Sequence, residues 1–322
     1  MCAFAAAIRR NIFGKSNKTL LQGETVKNTI QHIRQIFQTN GYLDPGSDKS
    51  GATNLKLTRI FNGYKKFDPN TRNQFALPLD VIKLLYFNRL TPKNRHIGLL
   101  ATGALFFGMR SCEYLQVRNQ QHKQTKLLII QNFQFYKNNQ RQNITDPNIR
   151  EADFIAITFV SQKNGNKNQT IIQHRSNRTL CPVKAWGTLI TLILSYEKTS
   201  TLTPINYFVH DNGPSQITAT DMITQIRAAC KTLGEQKIGI EIDRVGTHSI
   251  RMSFAMQLHL AGVKDHIIMM QGRWKSLSFL RYIRLQIQEL SEDLSRKMAS
   301  TATAHFNISN TRRNIVKTEI LH

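Results

Sequence analysis

The sequence predicts an α+β fold, mostly helical, with a small antiparallel sheet inside the larger of two domains. Three observations carry that prediction. Apolar residues recur at helical spacing over most of the chain. An Asn-Gly pair sits between two short strand-like runs, Phe154–Val160 and Gln169–His174, and Asn-Gly tolerates the positive φ a hairpin turn needs. A polar, proline-containing break between Asp68 and Pro78 separates a few short helices from a more apolar remainder. Residues 1–76 then form a small helical domain with basic faces, 77–300 a larger mixed domain, and 301–322 a polar tail.

The opening MCAFAAAIRRNIFGKSNK has no acidic residue, and Arg9 and Arg10 cut its apolar part too short for a secretory signal. It reads as a basic, disordered arm. Thr25 precedes a helix with Val26, Ile30, Ile33 and Phe37 on one face, closed by Gly41. A second helix carries Leu57, Ile60, Phe61 and Tyr64. Thr91-Pro92 is an N-cap and N1 pair for a helix running toward Gly108. Leu127–Tyr136 reads as a strand, and the Asn-Gly hairpin follows. Cys181-Pro182 starts a helix through Trp186, Leu189 and Ile193, and Asp221 opens another. Thr247 can cap a helix ending at Gly262, and Val263–Gln271 is a shorter one. Ser276 or Ser278 caps a helical segment around Tyr282, and Leu285–Met298 continues as an amphipathic helix.

The 322 residues carry 44 basic against 20 acidic side chains, a net charge of +24 with pI near 10.2. A fold does not require that imbalance, and a polyanionic partner explains it. No apolar run reaches the ~18–20 residues of a membrane span. The four cysteines are scattered without a CxxC pair, which suggests neither zinc nor a disulfide framework and favours a reducing, intracellular compartment. His259 and His266 lack metal-ligand spacing. No phosphate-binding glycine loop and no carboxylate cluster appears, so nucleotide hydrolysis and two-metal nuclease chemistry have no motif, and neither a cofactor nor a small-molecule substrate is expected.

Chemistry-bearing residues concentrate in three places. The segment ATGALFFGMRSCEYLQV places Arg110 after a glycine break, with Glu113 three residues on. Alone, this pair reads as a surface i, i+3 ion pair. Lys163 and Lys167 flank the Asn-Gly turn, where lysine is ordinarily a solubility residue. The stretch GTHSIRMSFAMQLHLAGVKDHIIMMQGRWKSLSFLRYIR sets His248 and Arg251 one helical turn apart at a helix start, where partial positive charge favours a phosphate. Trp274 follows, flanked by Arg273 and Lys275, and then Tyr282. Trp274 suits core packing, N–H donation, or both.

The order and spacing of these residues closely resemble the active-site blocks of the tyrosine recombinase (phage integrase) family over roughly residues 80–300. The GRWKS…YIR wording resembles the branches carried by Crypton-like and DIRS-like eukaryotic mobile elements. The resemblance implies a catalytic site of Arg110, Lys163, His248, Arg251, Trp274 and Tyr282, supported by Glu113. Lys167 is the rival hairpin lysine, and Arg273 and Lys275 are candidates for further DNA phosphate contacts. It implies that Tyr282 attacks a phosphodiester of double-stranded DNA, forming a 3′-phosphotyrosyl link without metal or ATP. Phenol has a pKa near ~10, so nearby cations must stabilise the phenolate. It further implies a DNA-clamping N-terminal domain, a homotetramer on two sites, and a DNA-associated location, nuclear in a eukaryote. Trp274 and Tyr282 are eight apart where many members have nine. That departure keeps open a decayed relative that binds DNA without cutting it; a type IB topoisomerase-like relaxase is the other alternative.

Overall fold

A computed structural model describes residues 1–14, 20–69, 74–117, 124–163, 165–211 and 213–284, without the side chains of Tyr282 and Arg284. The expected helix Leu285–Met298 and the 301–322 tail lie outside the described residues. The chain divides into two compact units between Arg72 and Asn73.

The first unit contains α1 (Cys2–Arg9), α2 (Gly23–Thr39) and α3 (Leu55–Phe67). The expectation of a disordered arm is overturned at its first residues. Ala5 and Ile8 fall one turn apart on α1 and pack with Val26, Ile30 and Leu57 into a small core. Arg9 closes that contact, its guanidinium 5.0 Å from the Tyr64 ring centroid and ion-paired with Asp68. On α2 the apolar face is narrower than the pattern suggested, because Val26 and Ile30 are buried while Phe37 is exposed.

The second unit begins with α4 (Leu79–Phe87) and α5 (Pro92–Phe106). Thr91 caps α5 as its sequence requires, its Oγ1 accepting from the Asn94 N–H at 3.1 Å with Pro92 in the first turn. His96 through Leu105 are all buried, so α5 runs through the middle of the core. After α6 (Ser111–Tyr114) comes a four-stranded antiparallel sheet in the order β2-β1-β3-β4, made of β1 (Phe133–Lys137), β2 (Gln140–Arg141), β3 (Phe154–Ser161) and β4 (Lys167–His174). Ser161 pairs with Lys167, closing the expected hairpin around residues 163–166. The strand expected from Leu127 starts late. The Ile129 N–H donates to Asn132 Oδ1 at 2.9 Å, and this local bond winds Ile130–Asn132 into a 3₁₀ turn.

Then follow α7 (Pro182–Leu194), a two-stranded hairpin of β5 (Tyr207–His210) and β6 (Gly213–Gln216), and α8 (Ala219–Leu233). Trp186 of α7 is fully buried against Phe133 of β1, with ring centroids 4.9 Å apart. Thr218 rather than Asp221 caps α8, and Asp221 completes the box by accepting from the Thr218 N–H at 2.9 Å. The last elements are α9 (Glu235–Ile238), α10 (Thr247–Leu260), α11 (Asp265–Gln271) and α12 (Leu280–Arg284). Gly246 takes the N-cap of α10, so Thr247 is its first helical residue. Among the described residues no helix is long and apolar enough to cross a membrane.

Candidate active site

The site is assembled where the C-terminal end of α5, the β3–β4 hairpin, the start of α10 and the turn after α11 come together. Gly108 makes the first bend. Its φ is +50, a region that favours glycine, and a Cβ there would lie 2.7 Å from the Phe254 ring. The bend frees Arg110 to cap α6. Glu113, one turn on and 1 % exposed, accepts from the Arg110 backbone N–H at 2.8 Å through Oε2 and from Arg110 Nη1 at 3.0 Å through Oε1. Glu113 is therefore a buried bracket on the arginine rather than half of a surface ion pair. Arg110 Nη1 also reaches Gln162 Oε1 at 3.4 Å, which ties it to the residue before Lys163.

On α10, His248 and Arg251 face the same way, one turn apart. Arg251 is 2 % exposed and donates to two main-chain carbonyls, to Gly108 through Nη1 and to Gly272 through Nη2 at 2.6 Å. Its guanidinium lies over the Trp274 ring, 4.2 Å from the centroid. Trp274 in turn packs against Phe254 and Phe279, so it serves in packing and supports Arg251 at once.

His248 reports on the whole arrangement. Burial lowers its pKa first, and the charges of Arg251, Arg110 and Lys163 then add to the effect, together taking it down to about 4. The imidazole is neutral at pH 7 and can accept or donate a single proton. These groups come from three separate segments, and the same observation separates the two hairpin lysines. Lys163, exposed at the turn, acts on His248; Lys167 opens β4 without being among the charges that do so.

Two flanking residues depart in different directions. Lys275 is exposed. Arg273, the other candidate for a DNA phosphate contact, lies inside. It is 2 % exposed, its Nη2 donates to Glu113 Oε2 at 2.8 Å, and its guanidinium lies 3.4 Å from the Phe159 ring centroid. A buried cation needs such a partner, and the carboxylate meets that need. Tyr282 falls in α12, anchored by the buried neighbours Phe279 and Ile283; its side chain lies outside the described part. Gln162 was not anticipated, since a lone glutamine beside a turn lysine carries no sequence signal.

No protein-family model and no curated protein matches the chain. Solved structures do match. A Tn1549 transposon integrase in complex with transposon right end DNA is 11 % identical with TM-score 0.52, over 94 % of this chain and 85 % of the other. The XerH site-specific recombinase bound to palindromic difH substrate is 18 % identical with TM-score 0.52, over 91 % and 70 % respectively. The chain has the tyrosine recombinase fold: mostly helical, with the small antiparallel sheet carried in the larger unit.

Proposed function

We propose that the chain is a DNA strand transferase of the tyrosine recombinase type, which cleaves and rejoins duplex DNA through a 3′-phosphotyrosyl intermediate. One observation carries the reading above the others: Arg251 of α10 donates to the carbonyl of Gly108, two residues before Arg110, and the Arg110 side chain reaches Gln162 beside Lys163, so the three cations gather around His248. Three cations held around one neutral imidazole are what a phosphodiester in transfer requires. The net charge of +24 supplies the long-range attraction for DNA. The two solved structures named above, an integrase and a site-specific recombinase by name, are DNA complexes.

In this mechanism Arg110 and Arg251 bind the non-bridging oxygens, whose charge grows in the transition state. The Tyr282 oxygen attacks phosphorus, the bond to the 5′-oxygen breaks, and Lys163 gives that oxygen its proton. Neutral His248 takes the phenol proton or holds the phosphate by a hydrogen bond, and Trp274 keeps Arg251 in place. The freed 5′-hydroxyl of a partner strand reverses the step. The phosphotyrosyl bond conserves the energy of the broken one, so the chain's own residues suffice for transfer. Four protomers on two duplexes form the working assembly, the first unit clamps DNA, and the GRWKS…YIR wording points to a mobile-element origin.

The test is a denaturing gel of the protein with nicked duplexes cut from the DNA that flanks its gene. Wild type should give a covalent band and Tyr282→Phe none, with gel-shift affinity retained. A covalent band of wild-type intensity from the Phe variant removes Tyr282 from the mechanism. Binding without any covalent band identifies a DNA-binding relative. Relaxation of a supercoil without joining of two marked duplexes identifies a relaxase.

A further inference from the structure

Arg273 takes no part in the chemistry just proposed, yet a great deal of the site is built on it. Its backbone has φ +59, a left-handed conformation that a side chain with a Cβ seldom adopts. Such a conformation persists where the surroundings hold it in place. Here they do: the guanidinium is buried between the Phe159 ring and the Glu113 carboxylate. The same Nη2 makes longer contacts with the carbonyl of Gly108, at 3.4 Å, and that of Phe107, at 3.5 Å. Gly108 is also the carbonyl to which Arg251 donates.

We propose that Arg273 is a positioning residue, which fixes Glu113 so that Glu113 aims Arg110 at the phosphate without cancelling its charge; the proposal rests on the recombinase reading of the site. Glu113 divides its two oxygens. Oε2 binds Arg273 and the Arg110 backbone, while Oε1 binds the Arg110 side chain. Two guanidinium groups share one carboxylate, so the triad has a net charge of +1. Without Arg273, Glu113 and Arg110 form a one-to-one pair of zero net charge, and the carboxylate is free to swing toward Arg110. An arginine neutralised in this way is a weaker clamp for a growing negative charge. Filling space does not require an ion at this place, because buried ion pairs exchange for apolar side chains of similar volume at little cost in stability. The triad is therefore explained by what it does to Arg110.

The experiment compares Arg273→Met, which keeps the volume, and Arg273→Lys, which keeps the charge, each with and without Arg110→Ala. Circular dichroism and urea unfolding first establish that the variants fold. Single-turnover covalent-complex formation on nicked duplex should then slow ~10-fold or more in Arg273→Met while duplex Kd stays within ~3-fold, with Arg273→Lys in between. In the Arg110→Ala background Arg273→Met should slow the reaction less than ~2-fold further, since the two act through one path. A second readout needs no activity. The guanidinium N–H signal of Arg110, assigned by its loss in Arg110→Ala, should shift in Arg273→Met in the DNA-free protein.

Additive slowing, an unmoved Arg110 signal, or failure of both Arg273 variants to fold overturns the proposal and leaves Arg273 a structural residue. A wild-type protein that forms no covalent complex, but whose Arg110 signal depends on Arg273, sinks the recombinase reading and keeps the positioning role.

Discussion

The Arg251 guanidinium rests over the Trp274 ring, 4.2 Å from its centroid, while its terminal nitrogens donate to the carbonyls of Gly108 and Gly272. Arg251 is thus held from three sides, by the Gly108 bend and by the Gly272–Trp274 turn. Its guanidinium is held in a fixed orientation, and on the proposed reading that is the preorganisation that stabilisation of a developing charge calls for.

Replacing the two arginines should separate catalysis from stability. Arg110→Ala and Arg251→Ala should each slow cleavage by about 3–4 kcal/mol of transition-state stabilisation, or roughly 10²–10³-fold. Arg251→Ala should in addition cost roughly 1.5–3 kcal/mol of stability, because hydrogen bonds from a charged donor to two carbonyls are lost in the interior. Lysine should rescue either poorly, since one ammonium cannot reproduce the planar fork. Single-turnover cleavage and urea midpoints measure the two effects. Near-wild-type rates in both Ala variants would mean the arginines are ordinary charges.

Gly108→Ala tests the bend that brings the arginines together. The new methyl meets the Phe254 ring at 2.7 Å at a φ of +50. The combined strain and overpacking should cost roughly 1–3 kcal/mol. Gly165→Ala is the control: its φ is +83 but no atom lies within 4 Å of the added Cβ, so only the backbone term remains. Equal urea midpoints for the two variants would show that the Phe254 contact is easily relieved.

Much of this architecture could be read in the sequence where the signal is local. Thr91-Pro92 fixed a helix start, Lys163–Lys167 a hairpin, and the His248–Arg251 spacing a shared helix face. The failures are those where a distant partner decides. Arg273 looks like a surface cation beside Trp274, and only Glu113, 160 positions away, brings it inside. Cys2–Arg9 looks like an arm until Val26, Ile30 and Leu57 offer Ala5 and Ile8 a surface. The β5–β6 hairpin escaped notice because Pro214 sits in its second strand and argues locally against one.

The half-buried, neutral His248 should make the fold less stable in mild acid. Its pKa is about 4 in the folded chain against 6.5 for the free group. Above pH 6.5 neither state is protonated there and the residue has no effect. Between 6.5 and about 4 the unfolded chain binds the proton that the folded chain refuses, so stability falls as pH falls. At pH 5 this amounts to at most roughly 2 kcal/mol. His248→Gln should flatten the change in urea midpoint between pH 7 and pH 5, and an unchanged slope would place the imidazole in ordinary solvent. A bound phosphate opposes the three cations, so DNA should raise the His248 pKa, which ring NMR would register.

The last prediction concerns which lysine protonates the leaving group. Lys163 is exposed at the hairpin turn and Lys167 lies at the first position of β4, so either ammonium is free of burial, and surface position alone cannot choose. The influence of Lys163 on His248 favours it. Loss of a general acid commonly costs about 10²–10⁴-fold, so Lys163→Ala should slow strand cleavage by that order while Lys167→Ala leaves it within a few-fold. A chemical control distinguishes proton donation from mere phosphate attraction. With sulfur in place of the bridging 5′-oxygen, the leaving group is a thiol of pKa near ~8.5 and departs as its anion without a proton. Cleavage of that substrate by Lys163→Ala should approach the wild-type rate. If the sulfur substrate rescues Lys167→Ala instead, the assignment passes to Lys167. If Lys163→Ala is equally slow on both substrates, Lys163 binds phosphate and donates no proton.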